Sequence, residues 1–278
     1  MAGRRSWRQA ALLTLAIMAA AASGAASRAA VATAPAAGGA TGAAAAAPAA
    51  DPAGEPLAGA VTESLVIARA AVSYEARLAL LDGANALDAD QRFTDRVRRI
   101  AGPLIAQAAR DYPATAAWSW QIHTSADPAQ DADCMAGGKI LVSQDYADRL
   151  ALGDAELAML LAHEIAHAAL GHNLQEYQLA LRLEPARAAL PFADLWQAVD
   201  TDPALMARLA PLGRAQENEA DRAGLQLAVR AGWPAARLAN YYRKLLRASA
   251  WPALDSDTHP SPLSRWRAAQ AQAAGLPH

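Results

Sequence analysis

Leu161-Ala162-His163-Glu164-Ile165-Ala166-His167 is the stretch on which the reading of this chain turns. Two histidines stand four residues apart, with a glutamate directly after the first. On an α-helix, residues i and i+4 lie one above the other on the same face. Both imidazoles can therefore reach one metal ion. Glu164 is rotated by roughly 100° from His163. It sits beside the ion without becoming a third in-line ligand, where a base acting on a metal-held water belongs.

With six His in 278 residues, the HExxH pattern arises by accident in on the order of one such chain in a few hundred. The surroundings argue against accident. Leu157, Leu160, Leu161, Ile165 and Leu170 flank the histidines at roughly helical spacing, so the helix is expected to be buried. Buried imidazoles and a buried carboxylate cost free energy unless they have partners. A metal partners all three.

Upstream, Gly153, Asp154 and Glu156 carry helix-start signals, and Gly171 is a stop. The metal helix should thus run to about Leu170. His172 lies nine residues beyond His163, half a revolution away on a continuous helix, and should not reach the same ion. Position 173 holds Asn, so the third ligand must come from elsewhere. Downstream, Glu217 and Asp221 share a face of an acidic helix, while Glu219 is turned about 200° from Glu217. A Glu217 oxygen would complete a two-histidine, one-glutamate zinc site with an open position for water. Asp221 would accept a hydrogen bond from the far nitrogen of a zinc histidine. Glu176 and Glu184 are rival third ligands, and a solvated acidic face beside Arg214 and Arg222 is the plainer alternative.

The remaining motifs are weaker. Residues 118–123, with Trp118, Trp120 and Ile122, alternate with period two and read as a strand. His123 falls on its polar side, as a solvated or hydrogen-bonded residue rather than a ligand. Gly137 and Gly138 mark a sharp turn before a second strand at 139–143. That strand is either an edge that pairs with an extended peptide or part of an ordinary hairpin. Cys134, the single cysteine, rules out an internal disulfide and reads as a core residue rather than a thiolate ligand. Residues 61–72 and the stripe Phe93, Val97, Ile100, Leu104 and Ala108 read as packing helices. Pro185, Pro191 and Pro203 break residues 174–211 into helical pieces, one of them built on Phe192, Leu195, Trp196 and Val199. This segment is a lid over the cleft or a helical hairpin that only packs.

Composition bounds the rest. Net charge is −2, and no long basic run follows the first eight residues, so nucleic-acid binding has no electrostatic support. Arg4, Arg5 and Arg8 precede an apolar run at 10–22 and then small residues, the layout of a secretory signal over residues 1–28. Residues 29–60, almost all Ala, Gly, Pro and Thr, read as a disordered linker. Residues 61–278 are left for one catalytic domain. Export to the periplasm of a Gram-negative bacterium is the expectation, with peripheral membrane association if the signal stays attached. Oligomeric state is not legible.

HEIAHAALGH followed by QENEADRAGLQLAVRAGWP resembles the HtpX-like and CAAX-endoprotease-like zinc metallopeptidases, metallopeptidase family forty-eight. CMAGGKILVS is similar to that family's strand after a Gly-Gly turn. Thr258-His259-Pro260-Ser261-Pro262, with Arg265, resembles its His-Pro motif. The matches run in the family's order from about residue 131 to 265. Asp131, Asp133 and Ala136 depart from the asparagine, aromatic and proline usual before the paired glycines.

The resemblance implies one zinc per chain on His163, His167 and Glu217, with Glu164 as general base. It implies an endopeptidase acting on unfolded or misassembled envelope proteins. It also places His259 near the zinc, as a fourth ligand closing a resting site or a donor to the oxyanion, with Arg265 in a similar role. His259 as a cap of the last helix is the plainer alternative. The expected fold is α+β, predominantly helical: a zincin of the gluzincin type with a small β-sheet beside the HExxH helix. The competing class is a metal-stabilised, chaperone-like binding protein that holds clients without cutting them; a helical packing protein with a chance motif is a third.

Overall fold

The computed structural model describes Leu57 and residues 60–276. The expected signal over 1–28 and nearly all of the linker over 29–60 lie outside the described residues.

The described residues begin with two long helices, α1 (Glu63–Gly83) and α2 (Gln91–Asp111). The Thr62 hydroxyl accepts from the Leu65 amide at the first. The Asp90 carboxylate accepts from the amides of Arg92 and Phe93 at the second. These side chains satisfy amides that the first helical turn leaves unpaired. Phe93, Val97, Ile100, Leu104 and Ala108 are all buried, the face that their spacing implies.

A three-stranded sheet follows: β1 (Gln121–Ser125), β2 (Ala132–Met135) and β3 (Lys139–Ser143). The order is β1-β3-β2. β1 runs parallel to β3, with Gln121 opposite Lys139, and β2 runs antiparallel, with Met135 opposite Lys139. Gly137 and Gly138 make the turn with φ of 77° and 78°, a region that residues with a Cβ rarely adopt. A Cβ on Gly138 would also lie 2.6 Å from the Trp120 ring.

One open reading is decided here and one expectation corrected. The 139–143 strand is the middle strand, joined to β2 in a hairpin, so it cannot be an edge for a peptide. The first strand starts at Gln121 rather than Trp118. Trp118 and Trp120 lie in a turn, where the Trp120 amide bonds the Trp118 carbonyl and the indole donates to the Thr115 carbonyl. Their alternation comes from two rings tilted against each other at 5.4 Å, not from a pleat.

After a short helix α3 (Gln144–Arg149) comes α4 (Asp154–Ala169), which carries HEIAH. The Glu156 carboxylate accepts from the Gly153 amide at its start. Ten of its residues, from Leu157 to Ala168, are buried, as befits a helix enclosed on nearly all sides. Gly171, with φ of 67°, ends that direction and starts α5 (His172–Leu183). Next come α6 (Phe192–Thr201) and the 28-residue α7 (Pro203–Arg230). The expected break at Pro203 is present: α6 stops at Thr201, Asp202 is extended, and Pro203 opens the first turn of α7, where proline's missing amide costs nothing. Pro211 lies inside that helix.

The 174–211 segment has a hydrophobic cluster of its own. Tyr177, Phe192, Leu195, Leu205 and Leu209 gather there with Leu57, Val61 and Val66. The chain ends with α8 (Ala235–Leu238), α9 (Asn240–Ala248) and α10 (Pro262–Ala274). The architecture is α+β, mostly helical, with α4 held between α7, α2 and β2.

Candidate metal centre

Helix α7 crosses α4 very closely at one point. A Cβ on Gly224 would lie 2.8 Å from the His163 amide nitrogen and 2.9 Å from its Cα. Only a residue without a side chain permits this approach. It brings Asp221 and Glu217, one and two turns before Gly224, opposite the two histidines.

Three donor atoms meet there. His163 Nε2 and His167 Nε2 are 3.1 Å apart. Glu217 Oε2 is 3.5 Å from the first, and Glu217 Oε1 is 3.3 Å from the second. Among the described residues this is the one set of three His, Cys, Asp or Glu side chains whose donors converge closely enough to hold a metal ion. Donors held 2.0–2.1 Å from a tetrahedral zinc are separated by about 3.3 Å, close to the spacing of the two imidazole nitrogens and of each from its nearer Glu217 oxygen. Glu217 Oε2 is buried and lacks a hydrogen-bond partner, and an orphaned carboxylate oxygen invites a cation. The residues present therefore suit zinc.

The far nitrogens face polar neighbours, at His163 within ion-pair distance but without hydrogen-bond geometry. His163 Nδ1 lies 2.9 Å from Asp221 Oδ1. Asp221 also takes both arms of Arg265 at 2.6 and 2.7 Å and the Tyr242 hydroxyl at 2.9 Å. The guanidinium of Arg265 is thus committed to Asp221, with Glu217 Oε2 3.4 Å away. His259 Nε2 is 3.4 Å from Glu217 Oε2, and its Nδ1 is 2.7 Å from the Thr258 hydroxyl. Exposure rises from His163 at 6% through Glu217 at 12% and His167 at 20% to His259 at 47%, so the centre opens on the His259 side.

The electrostatics favour a cation. Burial pushes the His163 imidazole down, but Asp221 and Glu217 outweigh it and raise it to about 10. Burial would raise the Glu217 carboxyl, yet His259, His163 and His167 hold it well below the usual range. At His163 the metal-free site holds a proton that a metal must displace. Burial, with Glu217 and Asp133 nearby, raises the Glu164 carboxyl to about 8.

The rival ligands lie elsewhere. Glu184 is paired with Arg187 and Arg208, and Glu176 is not among the converging donors. Cys134 is buried in the main core. His123 is bonded to Asp88. Asp133, at a position where the sequence departs from the family pattern, is buried and paired with Arg77 at 2.9 Å. Tyr242 and Gln216 contact the site yet carried no sequence signal, since their spacing reads as ordinary packing. His172 is adjacent too: its Nδ1 lies 2.8 Å from His167 Nδ1.

An HExxH helix, a second helix offering glutamate, and a mainly helical fold with a small sheet together define a metallopeptidase. Residues 91–273 match Peptidase family M48, and the chain belongs to that family. It is similar to the mitochondrial metalloendopeptidase OMA1 of Arabidopsis thaliana, 31% identical over 144 residues. The match covers 51% of this chain and 29% of that protein.

This comparison corrects the expected location. The relative is a mitochondrial protein, and among the described residues no helix is long and apolar enough to cross a membrane. A periplasmic location is not supported.

Proposed function

We propose that the chain is a zinc-dependent endopeptidase that cleaves unfolded or misassembled proteins, with zinc held by His163, His167 and Glu217. The carrying observation is the convergence of three donors from two separate helices at tetrahedral spacing. Bound zinc would supply Lewis acidity toward water and the scissile carbonyl.

The chain's own residues do the rest. Glu164 takes a proton from the attacking water on its carboxylate and returns it to the departing amide nitrogen. Asp221 orients the His163 ring through Nδ1, and Arg265 fixes Asp221 from behind. His259, on the open side, supplies an imidazole toward the developing oxyanion.

The test is digestion of casein by the full-length protein, with and without a chelator and with Glu164→Gln. Cleavage that stops in both cases supports the reading. Zinc retained without cleavage by the unmodified chain points instead to a metal-stabilised binding protein.

A further inference from the structure

His163 and His167 are both placed to give Nε2 to a metal, but their far nitrogens meet different partners. His163 has a carboxylate there. His167 Nδ1 faces the Nδ1 of another imidazole, that of His172, at 2.8 Å. A neutral histidine donates from one ring nitrogen and accepts at the other. If His167 offers the Nε2 lone pair, its proton is on Nδ1. His172 must then accept at Nδ1 and carry its own proton on Nε2.

The surroundings fit that tautomer. His172 is 3% exposed. Its Nε2 is buried without a hydrogen-bond partner, and Glu219 Oε2 lies 3.5 Å away. That distance is long for a hydrogen bond but short enough for the negative charge to favour a proton on the facing nitrogen. The two rings stand edge to face, 4.8 Å between centroids at 82°, a geometry that fixes the plane of both.

The backbone of His172 is gripped as well. Its carbonyl accepts from Gln216 Nε2 at 3.0 Å, and Gln216 directly precedes Glu217. The helix that supplies the third donor thus also fixes the residue behind the second. The sharp bend at Gly171 is what brings His172 here, since on a straight helix it would face away.

We propose that His172 is a positioning residue for the metal centre: as a neutral acceptor it sets the tautomer and plane of His167, with Glu219 setting the tautomer of His172. This rests on the zinc reading above. Outer partners of this kind typically carry 10–100-fold in metal affinity.

The experiment measures zinc affinity by competition with a chromophoric chelator on the full-length chain, alongside the visible spectrum of the cobalt-substituted protein and thermal melting. His172→Phe keeps the ring shape without the acceptor. It should weaken zinc by about 10–100-fold and alter the cobalt spectrum. His172→Asn places an amide oxygen where Nδ1 stands and should restore both, to within about threefold in affinity. A folded His172→Phe with unchanged affinity and spectrum overturns the proposal, as does a folded His172→Asn weakened more than tenfold. Should His172→Phe fail to fold, the Asn variant alone decides. An unmodified chain that binds no zinc overturns the metal reading itself, a result distinct from either.

Discussion

Two histidine–carboxylate pairs in this molecule have nearly the same separation, although only the His123 pair has hydrogen-bond geometry, and they differ in everything around them. His163 Nδ1 sits 2.9 Å from Asp221, and His123 Nδ1 sits 2.8 Å from Asp88. The first pair lies between two helices, with side chains 6% and 10% exposed. The second lies at the outer edge of β1, 27% and 23% exposed. There Asp88 also accepts from the Thr124 amide and hydroxyl and pairs with Arg98. It ties a loop to a strand. A histidine oriented by a carboxylate is therefore not yet a site. What distinguishes His163 is that its other nitrogen converges with a second imidazole and a second carboxylate in a place water does not readily reach.

That comparison can be broken by substitution. The largest effect is expected from His163→Ala, which should abolish both metal binding and peptide cleavage. His123→Ala should preserve both, as read by metal analysis and casein digestion. Glu164→Gln comes next. It should keep the metal yet lower kcat by about 10²–10⁴-fold, the usual weight of general acid–base catalysis; undiminished turnover would remove Glu164 from the chemistry. Gly224→Ala should force the two helices apart where backbone meets backbone, costing about 1–3 kcal/mol in denaturant unfolding and weakening metal binding. No glycine plays that part beside His123.

Smaller effects sharpen the contrast. Asp221→Asn should weaken zinc about 10–100-fold, while Asp88→Asn should leave zinc affinity unchanged. Asp88→Asn should instead alter the pH dependence of folding. Burial raises the Asp88 carboxyl, but the bonds from Thr124 and His123 outweigh it, and the folded value lies below the ordinary one. The folded state then holds this proton less tightly than the unfolded chain. The stabilisation is present above the unfolded pKa of about 3.9 and is lost as pH falls through the lower folded value. The melting temperatures of Asp88→Asn and the unmodified chain should therefore differ at neutral pH and converge in acid.

Much of this was legible in the sequence because period and spacing carried it. The i, i+4 histidines, the Phe93-to-Ala108 stripe and the Gly137-Gly138 turn each impose a local geometry that survives folding. The missed features depend on where helices cross. His172 looked remote because nine residues were counted along a straight helix, and the bend at Gly171 rotates it back. The Trp118 and Trp120 alternation imitated a strand because two rings packing across a turn also repeat every second residue. Tyr242 touches Asp221 from a helix 21 residues further on, and the Arg77–Asp133 pair spans 56 residues. No local pattern encodes either.

The central claim is that α4 and α7 meet at one divalent cation, and metal analysis of the purified full-length protein beside Glu217→Ala tests it most directly. The account predicts one zinc per unmodified chain and close to none in the variant, with the fold retained. No zinc in the unmodified protein, or an equal amount in Glu217→Ala, would contradict it.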